Sequence, residues 1–305
     1  SYPDDAVKNA GSYTLTAFLE SGNYVINENK TVNFTVKKAP LTVTVNGKTI
    51  TYGDNLPEFT LSYSGFVNGE TVSVLGGKAI CTHEYEQFSN VGTYTVTASG
   101  LTSENYEITY KQGTLTVTPY GLKLSWSPLT FVYDKNSHVP TAAITNRLPS
   151  GAADYGLNVS VITGEAINVG SYTAKASVPD DGNYYISSGE TTKFTVTAKE
   201  ATATVILSET EIVFGSEAPT ATINYSGVIS GDSLGTPEFD YGGYKKGSDI
   251  GTYTVTVKGL ANGNYDIKTT PASFTVKPYG LNVTWSDLTF TYDKTAHNPT
   301  ATVSN

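Results

Sequence analysis

Apolar and polar residues alternate with a period of two along much of the chain. In Tyr94-Thr95-Val96-Thr97-Ala98, Tyr106-Glu107-Ile108-Thr109-Tyr110 and Leu122-Lys123-Leu124-Ser125-Trp126, the apolar members fall on one face and Thr, Glu, Lys and Ser on the other. Such alternation predicts half-buried β-strands. No stretch carries a convincing 3.6-residue period, so the chain is expected to be all-β. Asn46-Gly47, set between 41–45 and 48–52, reads as a hairpin turn.

The strands recur in a fixed order. Gly-Ser/Thr-Tyr-Thr stands at 11–14, 92–95, 170–173 and 251–254, which spaces Tyr13, Tyr94, Tyr172 and Tyr253 by 81, 78 and 81 residues. Downstream of each comes an Asn-Tyr pair (Asn23-Tyr24, Asn105-Tyr106, Asn183-Tyr184, Asn264-Tyr265) and then a closing strand such as Phe34-Thr35-Val36 or Leu115-Thr116-Val117. A period of this length suits one small β-domain rather than a solenoid turn.

Two kinds of unit alternate. A Trp unit opens Tyr120-Gly121-Leu122-Lys123-Leu124-Ser125-Trp126 and continues Phe131-Val132-Tyr133-Asp134-Lys135; it returns 159 residues later around Trp285. A Tyr-Ser-Gly unit carries Tyr52-Gly53-Asp54, Tyr63-Ser64-Gly65 and Gly69-Glu70, and returns as Phe214-Gly215-Ser216, Tyr225-Ser226-Gly227 and Gly231-Asp232. The expected division is 1–38 (the C-terminal part of a Trp unit), 39–118 (Tyr-Ser-Gly), 119–198 (Trp), 199–278 (Tyr-Ser-Gly) and 279–305 (the N-terminal part of a Trp unit). The two incomplete pieces together lack only the counterpart of 147–159. Short junctions, often with Pro, separate each closing strand from the next opening one and permit little swing. Several strands per unit with turn residues between them predict a tandem array of immunoglobulin-like β-sandwich domains forming an elongated rod.

Tyr52-Gly53-Asp54-x-x-Pro57, the run from Tyr63 to Glu70, Val91-Gly92-Thr93-Tyr94-Thr95-Val96 and Asn105-Tyr106 resemble the MBG repeat (YGX type) of large bacterial surface proteins. Residues 39–118 carry the resemblance well, and 199–278 carry it with Phe214-Gly215-Ser216 in place of Tyr-Gly-Asp. The Trp units, with Tyr133-Asp134-Lys135-x-x-His138-x-Pro140 and Tyr292-Asp293-Lys294-x-x-His297-x-Pro299, resemble bacterial immunoglobulin-like repeats. The resemblance implies an extracellular array of adhesin stalk domains on a bacterial cell surface. It supplies no catalytic or ligand-binding residues.

Composition narrows the chemistry further. Acidic residues outnumber basic ones 28 to 19, the net charge is −9, and Arg147 is the lone arginine. Nucleic acid is therefore not an expected partner, because phosphate binding rests on clustered Lys and Arg. Cys81 is the sole cysteine, which leaves no internal disulfide and no Cys-based zinc site. No run approaches the ~18 apolar residues of a membrane span, and the first residues do not form a signal peptide. With no Met, the chain reads as a segment of something longer.

Side chains that recur in every copy are expected to serve the fold. Tyr13, Tyr94, Tyr172 and Tyr253 phase with apolar neighbours, as do Trp126 and Trp285, and all six are assigned to the core. His138 and His297 recur after Tyr-Asp-Lys and read as turn histidines, since no second His lies at metal-ligand spacing. No metal or cofactor is expected. Cys81 and His83 share a strand face, but no orienting acid or oxyanion site accompanies them, so no catalytic residue is assigned. Asp4-Asp5 and Asp180-Asp181 lack the dense pattern of a calcium loop. Lys–Asn isopeptide chemistry is not expected, because the closing strands begin with Asn33, Thr114, Lys193 and Ser273.

Tyr241, Tyr244, Lys245 and Lys246, in Tyr241-Gly242-Gly243-Tyr244-Lys245-Lys246, look unlike their surroundings in the other copy and form the candidate ligand-binding loop. The main expectation is a non-catalytic structural stalk that projects or spaces a binding region. A second reading is a carbohydrate- or mucin-binding module using these loop aromatics on a host or matrix glycan or protein. A third is a head-to-tail filament in which the incomplete ends of successive molecules complete one another.

Overall fold

The computed structural model describes residues 7–20, 22–28, 30–146, 159–178 and 182–305. They divide into two compact units. The first holds 1–125, 142–160 and 176–190, and the second 126–141, 161–175 and 191–305. Asp4-Asp5 and Asp180-Asp181 lie outside the described residues.

An antiparallel ribbon of β1 (Gly11–Thr16) and β2 (Thr31–Val36) opens the first unit. Seven strands follow: β3 (Ala39–Val45), β4 (Lys48–Thr51), β5 (Leu61–Ser64), β6 (Gly76–His83), β7 (Gly92–Thr102), β8 (Tyr106–Lys111) and β9 (Gly113–Thr118). Hydrogen bonding orders them as two sheets, β5-β3-β8 and β4-β9-β7-β6. Alternation decides what each sheet turns inward. In β3 the residues Leu41, Val43 and Val45 are buried while Thr42 and Thr44 lie on the opposite face. The inner faces of both sheets meet in one core of Val45, Val96, Ala98, Leu115 and Val117, closed at one end by Tyr52 and Tyr85.

β3 and β4 belong to different sheets, so Asn46-Gly47 is not the hairpin expected from its sequence. The Asn46 side chain is tied to the start of β5, the neighbour of the strand it leaves: Nδ2 donates to Thr60 Oγ1 (2.9 Å) and Oδ1 accepts from Ser62 Oγ (2.6 Å). Neither residue takes the positive φ that a two-residue hairpin turn demands. The chain instead crosses to the opposite sheet, where β4 runs parallel to β9 from Lys48↔Leu115 to Thr51↔Thr118. Tyr52 N–H, bonded to Thr118 O at 2.8 Å, extends that ladder.

The next seven strands repeat the plan: β10 (Tyr120–Ser127), β11 (Thr130–Val132), β12 (Thr141–Ile144), β13 (Ser160–Thr163), β14 (Gly170–Ser177), β15 (Tyr184–Ser188) and β16 (Thr191–Thr197). Sheet β12-β10-β15 falls to the first unit and β11-β16-β14-β13 to the second. Seven more complete the second unit's sandwich: β17 (Lys199–Leu207), β18 (Glu211–Val213), β19 (Ala221–Ser226), β20 (Gly235–Asp240), β21 (Gly251–Leu260), β22 (Tyr265–Thr270) and β23 (Ala272–Lys277). Their orders, β19-β17-β22 and β18-β23-β21-β20, match those of the first sandwich strand for strand. Val205, Ile212, Tyr244, Val255, Val257, Phe274 and Val276 form the core between them. The fold is all-β, a tandem series of immunoglobulin-like β-sandwich domains.

Last come β24 (Asn282–Ser286) and β25 (Thr300–Ser304), which among the described residues pair only with each other. Among the described residues no second sheet covers them, and Trp285 is 59% exposed, which corrects its assignment to the core. Trp126, its counterpart, is partly buried and packs against a buried cluster.

The Tyr-Ser-Gly motif has a steric cause. Gly65 adopts φ +117°, and a Cβ there would lie 2.3 Å from Pro40 O on β3; Gly227, at φ +81°, would meet Glu200 O on β17 at 2.6 Å. Both the dihedral and the close backbone approach exclude a side chain. Gly65→Ala is expected to lower the stability of its sandwich by about 1–3 kcal/mol in denaturant unfolding. Gly69→Ala, with the same sign of φ and open space around it, should cost less.

Candidate functional site at the domain junctions

Outside the cores, the most regular side-chain geometry lies where one domain meets the next. Each tyrosine of the Gly-Ser/Thr-Tyr-Thr motif turns its hydroxyl back to the carbonyl four residues upstream. Tyr13 donates to Asn9 O (2.8 Å), Tyr94 to Asn90 O (2.6 Å), Tyr172 to Asn168 O (2.6 Å) and Tyr253 to Asp249 O (2.9 Å). This is the tyrosine corner of immunoglobulin-like sandwiches, and it fixes the loop that carries Asn9, Asn90, Asn168 or Asp249. The rings of Tyr94, Tyr172 and Tyr253 are partly buried and pack against buried clusters, while Tyr13 stacks on Phe34 at 5.7 Å.

Into three of these loops reaches the asparagine of a later Asn-Tyr pair. Asn105 Oδ1 accepts from Ala10 N–H (2.9 Å) and its Nδ2 donates to Asn9 Oδ1 (3.1 Å). Asn183 repeats this with Val91 N–H (2.9 Å) and Asn90 Oδ1 (3.0 Å), and Asn264 with Val169 N–H and Asn168 Oδ1 (both 2.9 Å). The main-chain carbonyls of the same three asparagines accept from Ala39, Tyr120 and Lys199, which begin β3, β10 and β17. Each asparagine therefore clasps the domain before its own and pins the first strand of its own. A backbone N–H can only donate, so Oδ1 must face it and Nδ2 must face the upstream side chain. That partner need only accept; the fourth corner carries Asp249 at this position, whose main-chain carbonyl takes the Tyr253 hydroxyl.

Apolar packing backs the clasps. The Tyr184 ring meets Tyr52 edge-on at 5.3 Å and Tyr120 at 6.4 Å, and in the second unit Tyr133, Phe194 and Val196 are buried together with Ala201, Leu234 and Tyr265. A charged group adds to this second contact. Asp232 Oδ2 accepts from the hydroxyls of Tyr265 (2.7 Å) and Tyr133 (3.2 Å), and Oδ1 pairs with Lys135 Nζ at 2.7 Å. Lys135 also donates to Ser230 O (2.9 Å). The hydrogen bond from Lys135, followed by that from Tyr265, holds the Asp232 carboxyl below its ordinary 3.8. Burial, then bonding to Asp232, raises both phenols above 10.0.

A depressed carboxyl pKa contributes stability that is present above the unfolded value and is lost as pH falls through the folded one. Acidification below the ordinary carboxyl range should thus destabilise this cluster. Asp232→Asn should make the pH dependence of the second unit's unfolding shallower in that window, as followed by tyrosine and Trp126 fluorescence.

Residues 41–116 and 203–275 match the MBG domain (YGX type) family model. The chain carries two MBG domains. No curated protein matches the sequence. Among solved structures, the N-terminal four Ig domains of Dscam1 isoform 8.4 are 15% identical, with 83% of this chain and 78% of that one covered and a TM-score of 0.22. The N-terminal eight Ig domains of Down Syndrome Cell Adhesion Molecule isoform 1.30.30 are 13% identical over 90% of this chain and 40% of that one, with a TM-score of 0.26. Drosophila N-cadherin EC1-4 is 10% identical over 90% and 84%, with a TM-score of 0.20.

The two MBG domains treat their signature differently. Tyr52 of Tyr-Gly-Asp is buried, whereas Phe214 of Phe-Gly-Ser is 45% exposed; the glycines share φ +86° and +87°. Asp54 serves its own turn, accepting from Thr51 N–H at 2.9 Å.

Of the four loop candidates in the second MBG domain, Tyr244 is a core residue, which corrects its reading as a surface aromatic. It is 8% exposed, donates to Ser216 O (2.8 Å) and packs its ring on Tyr253 and Phe274. Tyr85 is its counterpart in the first domain, buried against Tyr94 with its hydroxyl directed at Asp54 O (3.4 Å). Lys246 pairs with Glu217 at 2.8 Å. Tyr241 and Lys245 border a depression of about 380 Å³ floored by the Lys258–Asp240 ion pair.

Cys81 packs against the first core, and His83 Nδ1 lies 3.1 Å from Tyr85 O with its ring near Phe59. His138 stacks on Phe131 at 4.7 Å with Nε2 3.1 Å from Asp134, and His297 repeats this on Phe290 (4.7 Å) and Asp293 (2.9 Å). Both histidines brace turns. Among the described residues, no three His, Cys, Asp or Glu side chains are grouped to hold a metal ion.

Proposed function

We propose that the chain is a non-catalytic structural spacer, the MBG and immunoglobulin-like stalk of an adhesin-like protein on a bacterial cell surface that holds a binding region at a distance. The observation that supports this reading is the asparagine clasp, which recurs at Trp-to-MBG and MBG-to-Trp junctions alike. A connection that is the same whichever domain comes next suits a component made to be repeated. Set end to end, nearly four unit-equivalents would extend on the order of 130 Å at ~3.3 Å rise per strand residue. Small-angle scattering of the monomer is expected to give a maximum dimension near that value, and a compact particle of about half that length would count against the spacer.

A second reading, carbohydrate binding, is favoured by the depression beside Tyr241 and Lys245. A glycan array should then show binding that disappears in Tyr241→Ala, with folding unchanged because Tyr241 is only partly buried.

A further inference from the structure

In an Asn-Gly pair the asparagine side chain is open to attack by its own backbone, because the glycine nitrogen has no neighbouring side chain to hinder it. The chain holds three such pairs, Asn46-Gly47, Asn68-Gly69 and Asn262-Gly263. Two of them are held in place. Asn46 is bonded through both amide atoms, to Thr60 and Ser62, and a Cβ on Gly47 would lie 3.3 Å from Thr114 O. Asn262 Nδ2 donates to Ser233 O (2.9 Å), and its Oδ1 accepts from Asn264 N–H (2.9 Å). Asn68 differs: it is exposed, and its side chain makes no hydrogen bond among the described residues.

The turn also leaves the backbone room to move. Glu70 N–H closes it on Val67 O (3.0 Å), with Asn68 at φ +51° and Gly69 at +74°, the paired positive angles of a type I′ turn. Nothing lies within 4 Å of where a Gly69 Cβ would stand, so the peptide between 68 and 69 can swing without meeting a neighbour. Exposure at this turn does not depend on what precedes the domain. Ser230 and Gly231 hold the same place in the second MBG domain and are exposed even though Lys135 of the Trp unit donates to Ser230 O (2.9 Å).

We propose that Asn68 is a self-modifying site, converted without an enzyme into aspartate and isoaspartate. The Gly69 nitrogen gives its proton to water and attacks Asn68 Cγ; the bond from Cγ to Nδ2 breaks, and ammonia leaves with a proton taken from solvent. A succinimide ring results. Water then opens it: addition at Cγ leaves aspartate, and addition at the main-chain carbonyl carbon leaves isoaspartate, in which the chain runs on through Cβ and Cγ. One water is consumed and one ammonia released, with nothing oxidised or reduced. Either product sets a second carboxylate near Glu70, on a turn tied at both ends to the Tyr106 hydroxyl, which accepts from Val67 N–H (3.1 Å) and donates to Glu70 Oε2. In the second domain the same turn receives a lysine of the Trp unit, so the reaction adds negative charge at a position that there meets a cation.

Mass-spectrometric peptide mapping tests it, on the full chain kept folded in warm, mildly alkaline buffer and then digested in acid. The expected result is a progressive mass gain at residue 68, that of an amide converted to an acid, divided between two separable products. Asn46 and Asn262 should convert about tenfold or more slowly, because each must first give up the hydrogen bonds that hold its amide. In denaturant, where those bonds are gone, the three pairs should react at similar rates. Gly69→Ala should slow conversion at 68 by about tenfold, since a methyl group then hinders the attacking nitrogen. An Asn68 that stays intact in the folded chain, or Asn46 or Asn262 converting as fast as Asn68, would overturn the proposal. So would a difference among the three pairs that persists in denaturant, or a Gly69→Ala rate equal to that of the parent chain.

Discussion

Phe274→Ala should lower one calorimetric unfolding transition by about 3–5 kcal/mol and leave that of the 39–118 sandwich in place. Phe274 is 1% exposed, lies stacked 5.8 Å from Tyr253, and takes the edge of Tyr244 at 5.1 Å. Truncation removes a full ring and leaves two tyrosines bordering a cavity, each of which is held in place by a hydroxyl bond to backbone. Those bonds limit how far the site can collapse, so the cost should fall toward the upper end of the range. The first sandwich has its own core around Leu115 and shares no side chain with this one. If both transitions fell together, the cores would be coupled, and the picture of separate sandwiches would need revision.

The second large effect is expected at Asn183. It is 6% exposed, and Asn183→Ala leaves Val91 N–H without its acceptor and Asn90 Oδ1 without its donor, a cost of about 2 kcal/mol. The chemistry of the clasp makes a sharper forecast with aspartate. Asn90→Asp should be close to neutral, because the position 90 side chain only accepts in the clasp. Asn183→Asp can be met by rotation of the Asn90 amide. The double variant sets two carboxylates against each other and should be destabilised well beyond the sum of the single changes. Denaturant unfolding of the four proteins measures that excess; simple additivity would mean that the two side chains do not act as a pair.

Much of the sandwich could be read from alternation, because a strand with one buried face must place its apolar residues two apart. The tyrosine corners were visible as a repeat, and their phasing with Val96, Ala174 and Val255 pointed to the inside. The clasps were not legible in the same way. Asn90 and Asn183 are separated by 93 positions, and their meeting depends on how two folded domains abut. A local signal did exist, since Asn9, Asn90, Asn168 and Asp249 each stand four residues before a corner tyrosine. Only the structure shows that the upstream side chain serves as an acceptor.

Tyr244 was obscured by register. Counted forward from Tyr-Ser-Gly, the two MBG domains differ by a short insertion; counted back from the corner tyrosine, Tyr85 and Tyr244 both stand nine residues before it. At Asn46-Gly47 the dipeptide preference for a hairpin yielded to tertiary pairing, since the following strand gained a parallel partner in the other sheet.

That parallel partner recurs. β4 runs alongside β9, β11 alongside β16 and β18 alongside β23, so in each case a strand near the beginning of a domain lies parallel to its last strand. Thr118 and Thr197 add hydroxyl bonds to Ile50 O and Phe131 O across two of these pairs. A tensile force drawing the ends of such a domain apart acts along both strands in opposite senses and shears the ladder. Its hydrogen bonds are then loaded together rather than opened one after another, and the domain resists pulling with the whole ladder at once.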